Sequence, residues 1–114
     1  MYKLANGWTK ESVMEQFKKY NNGNMARDYK RGICVYQTDD GNRCAIGAFI
    51  PDGHEGLQFE GPVNQLLMRY SDLKSYIPFD DLDALEVFQQ VHDGSFSGLD
   101  IYQRIENFLR DMLE

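Results

Sequence analysis

Residues 32–50 read GICVYQTDDGNRCAIGAFI, and this stretch decides the fold class. Its two ends, GICVYQ and RCAIGAFI, are rich in the β-branched and aromatic residues that favour strands. Between them, residues 38–42 contain the Asp-Gly pair that is typical of a hairpin turn. Pro51 ends the second strand because its ring nitrogen has no hydrogen to donate. The sequence therefore predicts an antiparallel hairpin over residues 32–50.

Two turn types fit this hairpin, and they give its two cysteines different positions. A two-residue loop pairs Cys44 with Gln37, which puts the cysteines on opposite faces of the ribbon. A type I turn with a glycine bulge pairs Cys44 with Tyr36 instead, so that Cys34 and Cys44 share a face. We favour the bulged turn, because it requires a positive φ only at Gly41.

Helical periodicity precedes and follows the hairpin. Thr9 is a good cap for a first helix, which Asn21 and the two residues after it end. Further helices are predicted from Gly61-Pro62, from Asp80 or Asp81 to about His92, and over the apolar stripe Ile101, Ile105, Phe108, Leu109 and Met112. Residues 24–31 give no clear pattern, and a short helical turn is one reading. The order α-β-β-α-α-α predicts an α+β fold, with a small antiparallel hairpin packed against about four helices in one domain over residues 1–114.

Composition excludes several classes of protein. The chain has 114 residues, of which 42% are hydrophobic and 13% aromatic, and this content is too high for a disordered protein. The net charge of −6 argues against direct nucleic-acid binding, which needs a basic surface. The longest apolar run is too short to span a membrane, and the first residues do not resemble a secretory signal. Two cysteines make no disulfide framework, so we expect a cytoplasmic protein with reduced thiols and no cofactor.

The charge is divided unevenly along the chain. Residues 1–43 carry a net charge of +3 and residues 44–114 a net charge of −9. The densest acidic segment is the third predicted helix, with the carboxylates Asp80, Asp81, Asp83, Glu86 and Asp93. Capping and solvation explain such a helix in part. The functional interpretation is an acidic face that binds a basic surface on a protein partner.

A basic segment lies nearer the N-terminus. Residues 18–31 contain a single acidic residue and five basic ones, which are Lys18, Lys19, Arg27, Lys30 and Arg31. With its interleaved tyrosines and asparagines, the segment is a candidate anion site for a phosphorylated small molecule or nucleotide. The simpler interpretation is a solvated loop, or one whose charges pair with the acidic half of the chain.

The cysteines and histidines are candidates for chemistry. Nine residues separate Cys34 from Cys44, more than the spacing of about two to four in zinc knuckles, so we predict no metal site. We expect both thiols to pack as small apolar side chains. The alternative is a catalytic pair with Cys44 or Cys34 as nucleophile, His92 as base and Asp93 as its orienting carboxylate.

One set of motifs resembles a known group of proteins. The hairpin reads Cys34-Val35-Tyr36, a turn, Cys44-Ala45-Ile46-Gly47 and Ile50-Pro51-Asp52, and Phe88-Gln89-Gln90-Val91-His92-Asp93 follows later. This resembles small uncharacterised proteins of phages and bacteria with a Cys-x-Tyr, Cys-Ala-Ile-Gly, Ile-Pro-Asp and Leu-Gln-x-x-His-Asp pattern. Phe88 stands where that pattern has leucine. The resemblance implies a phage or prophage origin and a cluster that contains Cys44 and His92, and it implies no activity.

Three functions follow from these observations. The first is a small acidic protein-interaction module that modulates or inhibits a host or viral protein. The second is a binder of a phosphorylated small molecule or nucleotide, and the third is a cysteine-dependent hydrolase or transferase. Each predicted helix has one apolar stripe, so a homodimer is a further alternative.

Overall fold

The computed structural model describes residues 2–94 and 100–113, and its elements follow the predicted order. The helices are α1 (Lys10–Tyr20), α2 (Val63–Arg69), α3 (Leu82–Asp93) and α4 (Ile101–Asp111). The two-stranded antiparallel sheet consists of β1 (Arg27–Asp28) and β2 (Ile33–Cys34). Short 3₁₀ turns lie at Gly47–Phe49, Glu55–Gln58 and Ser71–Ser75. The predicted α+β class is confirmed.

The longer helices begin at polar caps. Thr9 Oγ1 accepts a hydrogen bond from the Ser12 N–H at 3.0 Å, and Ser12 Oγ accepts one from the Thr9 N–H at 2.8 Å. This reciprocal arrangement satisfies two N–H groups that the helix itself leaves free. Asp81 and Asp100 cap α3 and α4 in a related way. The predicted cap of α1 is confirmed, and Asp81 rather than Asp80 caps α3.

A cluster of phenylalanines fixes α3 at the centre of the molecule. The Phe88 ring is fully buried, and its centroid lies 5.4 Å from that of Phe79 and 5.6 Å from that of Phe108. Phe49, from the 3₁₀ turn, lies 6.0 Å away on another side. Because Phe88 fixes the apolar face of α3 in the core, the opposite face of the helix points outward with its acidic residues.

The strands differ from the prediction. In the second predicted strand, residues 43–50, only Arg43 forms a bridge, and a turn and the 3₁₀ turn Gly47–Phe49 follow it. The strand β2 pairs instead with β1, in the unassigned segment 24–31. Residues 44–50 are all buried, and a short, fully buried apolar run has the same pattern in a strand and in a helical turn. The sequence pattern therefore predicted burial correctly and the backbone conformation wrongly.

The turn itself follows the bulged register. Gln37 and Arg43 form an antiparallel bridge, and the Cys44 N–H donates to the Tyr36 carbonyl oxygen at 3.2 Å. Gly41 has a φ of +90°, the left-handed conformation that the bulged turn requires. The preferred pairing of Tyr36 with Cys44 is therefore confirmed, although the ladder ends there.

Candidate functional site

A cleft of about 360 Å³ lies between α3, β2 and the residues that lead into α2. We call it the Cys34 cleft. Its lining includes the residues Cys34, Tyr36, Pro62, Glu86, Gln89, Gln90 and Asp93. Glu86 and Asp93 lie on the outward face of α3, two turns apart. The structure thus brings Cys34 to the same cleft as two of the predicted partner-binding carboxylates.

A hydrogen-bonded chain connects this cleft to the core. His92 is fully buried, and its Nε2 accepts the Ala26 N–H at 3.1 Å. Since Nε2 accepts, the proton of the neutral ring is on Nδ1, which donates to Asp93 Oδ1 at 2.7 Å. The Cys34 thiol in turn contacts the Asp93 carboxylate and the Arg27 guanidinium. His92 and Asp93 therefore fix both strands to the end of α3.

Gln89 extends the same network to the second cysteine. Its Oε1 accepts the Ile46 N–H at 3.1 Å, and its Nε2 donates to Asp93 Oδ1 at 3.3 Å. The Gln89 side chain also bonds the Cys44 thiol, which accepts the Gly47 N–H at 3.2 Å. Residues of both motifs named in the sequence resemblance therefore meet at one polar cluster.

The geometry does not favour thiol catalysis. Burial raises the pKa of the Cys44 thiol to about 12, so this cysteine is protonated at neutral pH. Both ring nitrogens of His92 are engaged, and Asp93 rather than His92 contacts Cys34. Burial and the Asp93 carboxylate raise the pKa of Cys34 as well. These contacts connect structural elements, and they hold both ring nitrogens of His92, the predicted base, on Ala26 and Asp93.

Alkylation tests this interpretation of the cysteines. We expect iodoacetamide to label Cys34 more slowly than it labels glutathione at pH 7.5, because burial and the Asp93 carboxylate raise the pKa of the thiol and so lower its thiolate fraction. The rate should rise about tenfold per pH unit up to pH 8.5, and Cys44 should react only after unfolding in urea. Mass spectrometry of each cysteine peptide measures both rates. Labelling of either cysteine faster than glutathione would show an activated thiol.

In the described part of the chain, the acidic residues on and just before α3 pair with no Lys or Arg, although Asp93 bonds His92. Ion pairs of Lys or Arg within residues 2–94 and 100–113 join Arg31 to Glu60 and Asp28, Arg43 to Asp52, and Arg110 to Asp111. None of these pairs involves Asp80, Asp81, Asp83 or Glu86. We call Asp83, Glu86 and Asp93 the acidic face. Asp83 is exposed, and Glu86 and Asp93 are half-buried.

The other two predicted partner-binding residues lie at the start of α3. The Asp81 side chain accepts the Asp83 N–H at 2.8 Å, so helix capping accounts for Asp81. Asp80 is exposed beside a second, apolar depression between α2 and α3. The five carboxylates therefore follow α3 from its first turn to its last, along roughly 18 Å.

The predicted anion-binding residues do not converge on one site. Lys18 lies over the Tyr102 ring at 5.6 Å, and Lys19 lies over the Tyr20 ring at 5.3 Å. Arg27, Lys30 and Arg31 line a depression of about 600 Å³ that also contains the carboxylates Asp28, Asp39 and Asp40. Arg31 pairs with Glu60 at its edge. Because acids and bases are equal in number there, the depression has no excess positive charge to hold a phosphate.

Sequence reasoning missed the apolar depression beside Asp80. Met68 of α2 is 82% exposed and Leu82 of α3 is 41% exposed, whereas the apolar stripe of α2, formed by Val63, Leu66 and Leu67, is buried. The sequence does contain a signal for this exposed residue, because Met68 lies off the apolar stripe of its helix. An apolar residue at a polar position of an amphipathic pattern indicates an exposed contact.

The described residues contain neither a metal-binding group nor a membrane-spanning helix. Among the residues that the structure describes, no three His, Cys, Asp or Glu side chains are grouped to hold a metal ion. In the same residues, no helix is long and apolar enough to cross a membrane. Compared with known proteins, the chain matches no family model, no curated protein and no solved structure.

Proposed function

We propose that this chain is a protein-interaction module whose acidic face binds a basic segment of a protein partner. The observation that carries the proposal is that Asp83 and Glu86 have no Lys or Arg within ion-pair distance in the described chain. Neighbouring like charges on a helix destabilise it slightly. The helix dipole favours Asp83 in the first turn of α3, whereas Glu86 lies beyond that turn. A complementary basic surface would turn the repulsion between the two carboxylates into attraction.

The cleft adds shape to this charge. Glu86 and Asp93 line a depression with room for a lysine or arginine side chain, and the Gln89 and His92 hydrogen bonds hold Asp93 in place. A carboxylate that is already oriented loses little further entropy on binding. The acidic face thus combines long-range attraction with a fixed contact point.

The proposed biological role depends on what the basic surface of the partner binds. A basic protein surface commonly binds nucleic acid or another anion. A module that covers such a surface would act as an inhibitor of that binding. The phage and bacterial proteins that the sequence motifs resemble support a host or viral protein as the partner.

Charge reversal tests the proposal. We expect the double variant Asp83→Lys/Glu86→Lys to bind its partners from a bacterial lysate at least about tenfold more weakly. This factor corresponds to a loss of about 1.4 kcal/mol of binding free energy from the two reversed contacts. The matched control is Glu15→Lys/Glu106→Lys, which changes the net charge equally on the exposed surface of α1 and α4. Quantitative mass spectrometry of the retained proteins provides the measurement.

The result has two clear readings. Proteins retained by the wild type and the control, but lost with the α3 variant and at high salt, support the acidic face. If the three proteins retain the same set, the acidic face has no role in binding and the proposal fails.

A further inference from the structure

Two Asn-Gly pairs occur in the chain, and they have different surroundings in the structure. One is Asn6-Gly7, in the turn before α1, and the other is Asn22-Gly23, after the end of α1. Asparagine is a thermally labile residue, because the backbone nitrogen of the next residue can attack its side-chain amide. Glycine as the next residue makes this attack easiest, since it has no Cβ atom to restrict the approach. Local contacts then decide which of the two pairs reacts.

Hydrogen bonds hold both reacting groups of the second pair. The Gly23 N–H, whose nitrogen would attack, donates to Asn21 Oδ1 at 2.8 Å. The Asn22 side-chain oxygen accepts the Asn24 N–H at 3.0 Å, and the Asn22 N–H donates to Asn42 Oδ1 at 2.9 Å. Ring closure at this pair must break contacts of both reacting groups, so it requires local unfolding first.

The first pair lies in an exposed turn. Among the residues that the structure describes, no hydrogen bond involves the Asn6 side chain or the Gly7 N–H. Both residues are exposed, and a Cβ atom added to Gly7 would meet no described atom within 4 Å. The bond from the Trp8 N–H to the Ala5 carbonyl oxygen, at 3.1 Å, closes the turn. Asn6 can therefore reach the reactive geometry while the rest of the fold stays intact.

We propose that Asn6 is a site of spontaneous modification, at which water converts the asparagine to isoaspartate and aspartate. The Gly7 nitrogen bonds to the side-chain carbonyl carbon of Asn6, and the amide nitrogen leaves as ammonia with the proton that Gly7 gives up. Water then adds to one of the two carbonyl carbons of the five-membered imide and breaks its bond to nitrogen. One opening gives an aspartate, and the other makes the backbone run through the former side chain, as isoaspartate.

An isoaspartate at this position lengthens the backbone by one carbon atom inside a closed turn. On one side of the turn, the Ala5 N–H donates to the Pro78 carbonyl oxygen at 2.7 Å. On the other side, the centroid of the Trp8 ring lies 5.2 Å from that of Phe49. Since the Trp8 N–H also closes the turn, the longer backbone displaces the indole from Phe49.

Incubation of the full chain at pH 8 and 37 °C tests the site, with Asn22 as the control in the same molecule. Peptide mapping by mass spectrometry follows the conversion of each asparagine, and chromatography separates isoaspartate from aspartate. We expect Asn6 to convert at least about fivefold faster than Asn22 in the folded protein. In urea the two rates should agree within about twofold, because both asparagines precede glycine and the hydrogen bonds of Asn22 are gone.

Equal rates in the folded protein would overturn the proposal. A fivefold difference that persists in urea would overturn it as well, since the sequence alone would then explain the difference. Fluorescence of Trp8, the single tryptophan, tests the displacement in the isolated isoaspartate form. The matched control is Asn6→Asp, which adds the same charge without the extra backbone atom. We expect a shifted emission only in the isoaspartate form, and the same emission in both would show that Trp8 is not displaced.

Discussion

Replacing Gly47 with alanine should lower the free energy of unfolding by about 3 kcal/mol. A Cβ atom at Gly47 would lie 2.0 Å from the carbonyl oxygen of Tyr36, so either the 3₁₀ turn or the hairpin must move. That oxygen also accepts the Cys44 N–H, and its displacement would disturb the bond that closes the turn. The close approach of two backbones explains why only glycine fits here.

Urea unfolding measures this loss, with Trp8 fluorescence as the probe because the indole packs against Phe49 at 5.2 Å. The matched control is Gly53→Ala. Gly53 has a φ of +78° and nothing within 4 Å of an added Cβ, so alanine there should cost only about 1 kcal/mol through backbone strain. Equal losses in the two variants would contradict the steric argument.

His92→Ala should also destabilise the protein strongly, by about 3 kcal/mol. The substitution leaves a cavity in the core and removes the acceptor of the buried Ala26 N–H, and an unsatisfied buried donor costs about 1–3 kcal/mol. The Asp93 carboxylate loses its Nδ1 donor at the same time. Thermal and urea unfolding of the variant measure the combined effect.

The other histidine is a close control for this experiment. His54 also accepts a backbone N–H, from Gly56 at 2.8 Å, and its Nε2 lies 2.7 Å from an Asp72 oxygen. Its side chain is 17% exposed and Asp72 is 60% exposed, so solvent replaces part of what is lost. We expect His54→Ala to cost about 1 kcal/mol or less. A His92→Ala variant as stable as His54→Ala would show that the buried network does not support the fold.

The sequence was most informative where local chemistry decides the structure. Thr9 caps α1, Asp81 caps α3 and Gly41 takes the positive φ of the turn, because each depends on its immediate neighbours. Helical periodicity also placed Glu86 and Asp93 on one face of α3. These features required no knowledge of the rest of the chain.

Tertiary contacts decided the features that the sequence did not reveal. The run from Cys44 to Ile50 forms a turn because Gly47 packs against Tyr36, and no local pattern encodes that approach. Arg27 and Asp28 form a strand with the nearby β2, and the preceding Ala26 bonds His92, 66 residues further along the chain. For the candidate site, the helical face was predictable, whereas the cleft and the contact between Cys34 and Asp93 were not.

The small size of the sheet has a consequence for how the protein opens. Each strand contains two residues, and an isolated hairpin is marginally stable even when it is longer. The segment that contains both strands is held by His92 and Asp93, 66 residues after Ala26 and 59 residues after Cys34. It therefore forms a local unfolding unit whose protection against hydrogen exchange depends on the end of α3. A partner bound along α3 and in the Cys34 cleft would reduce the opening of this segment.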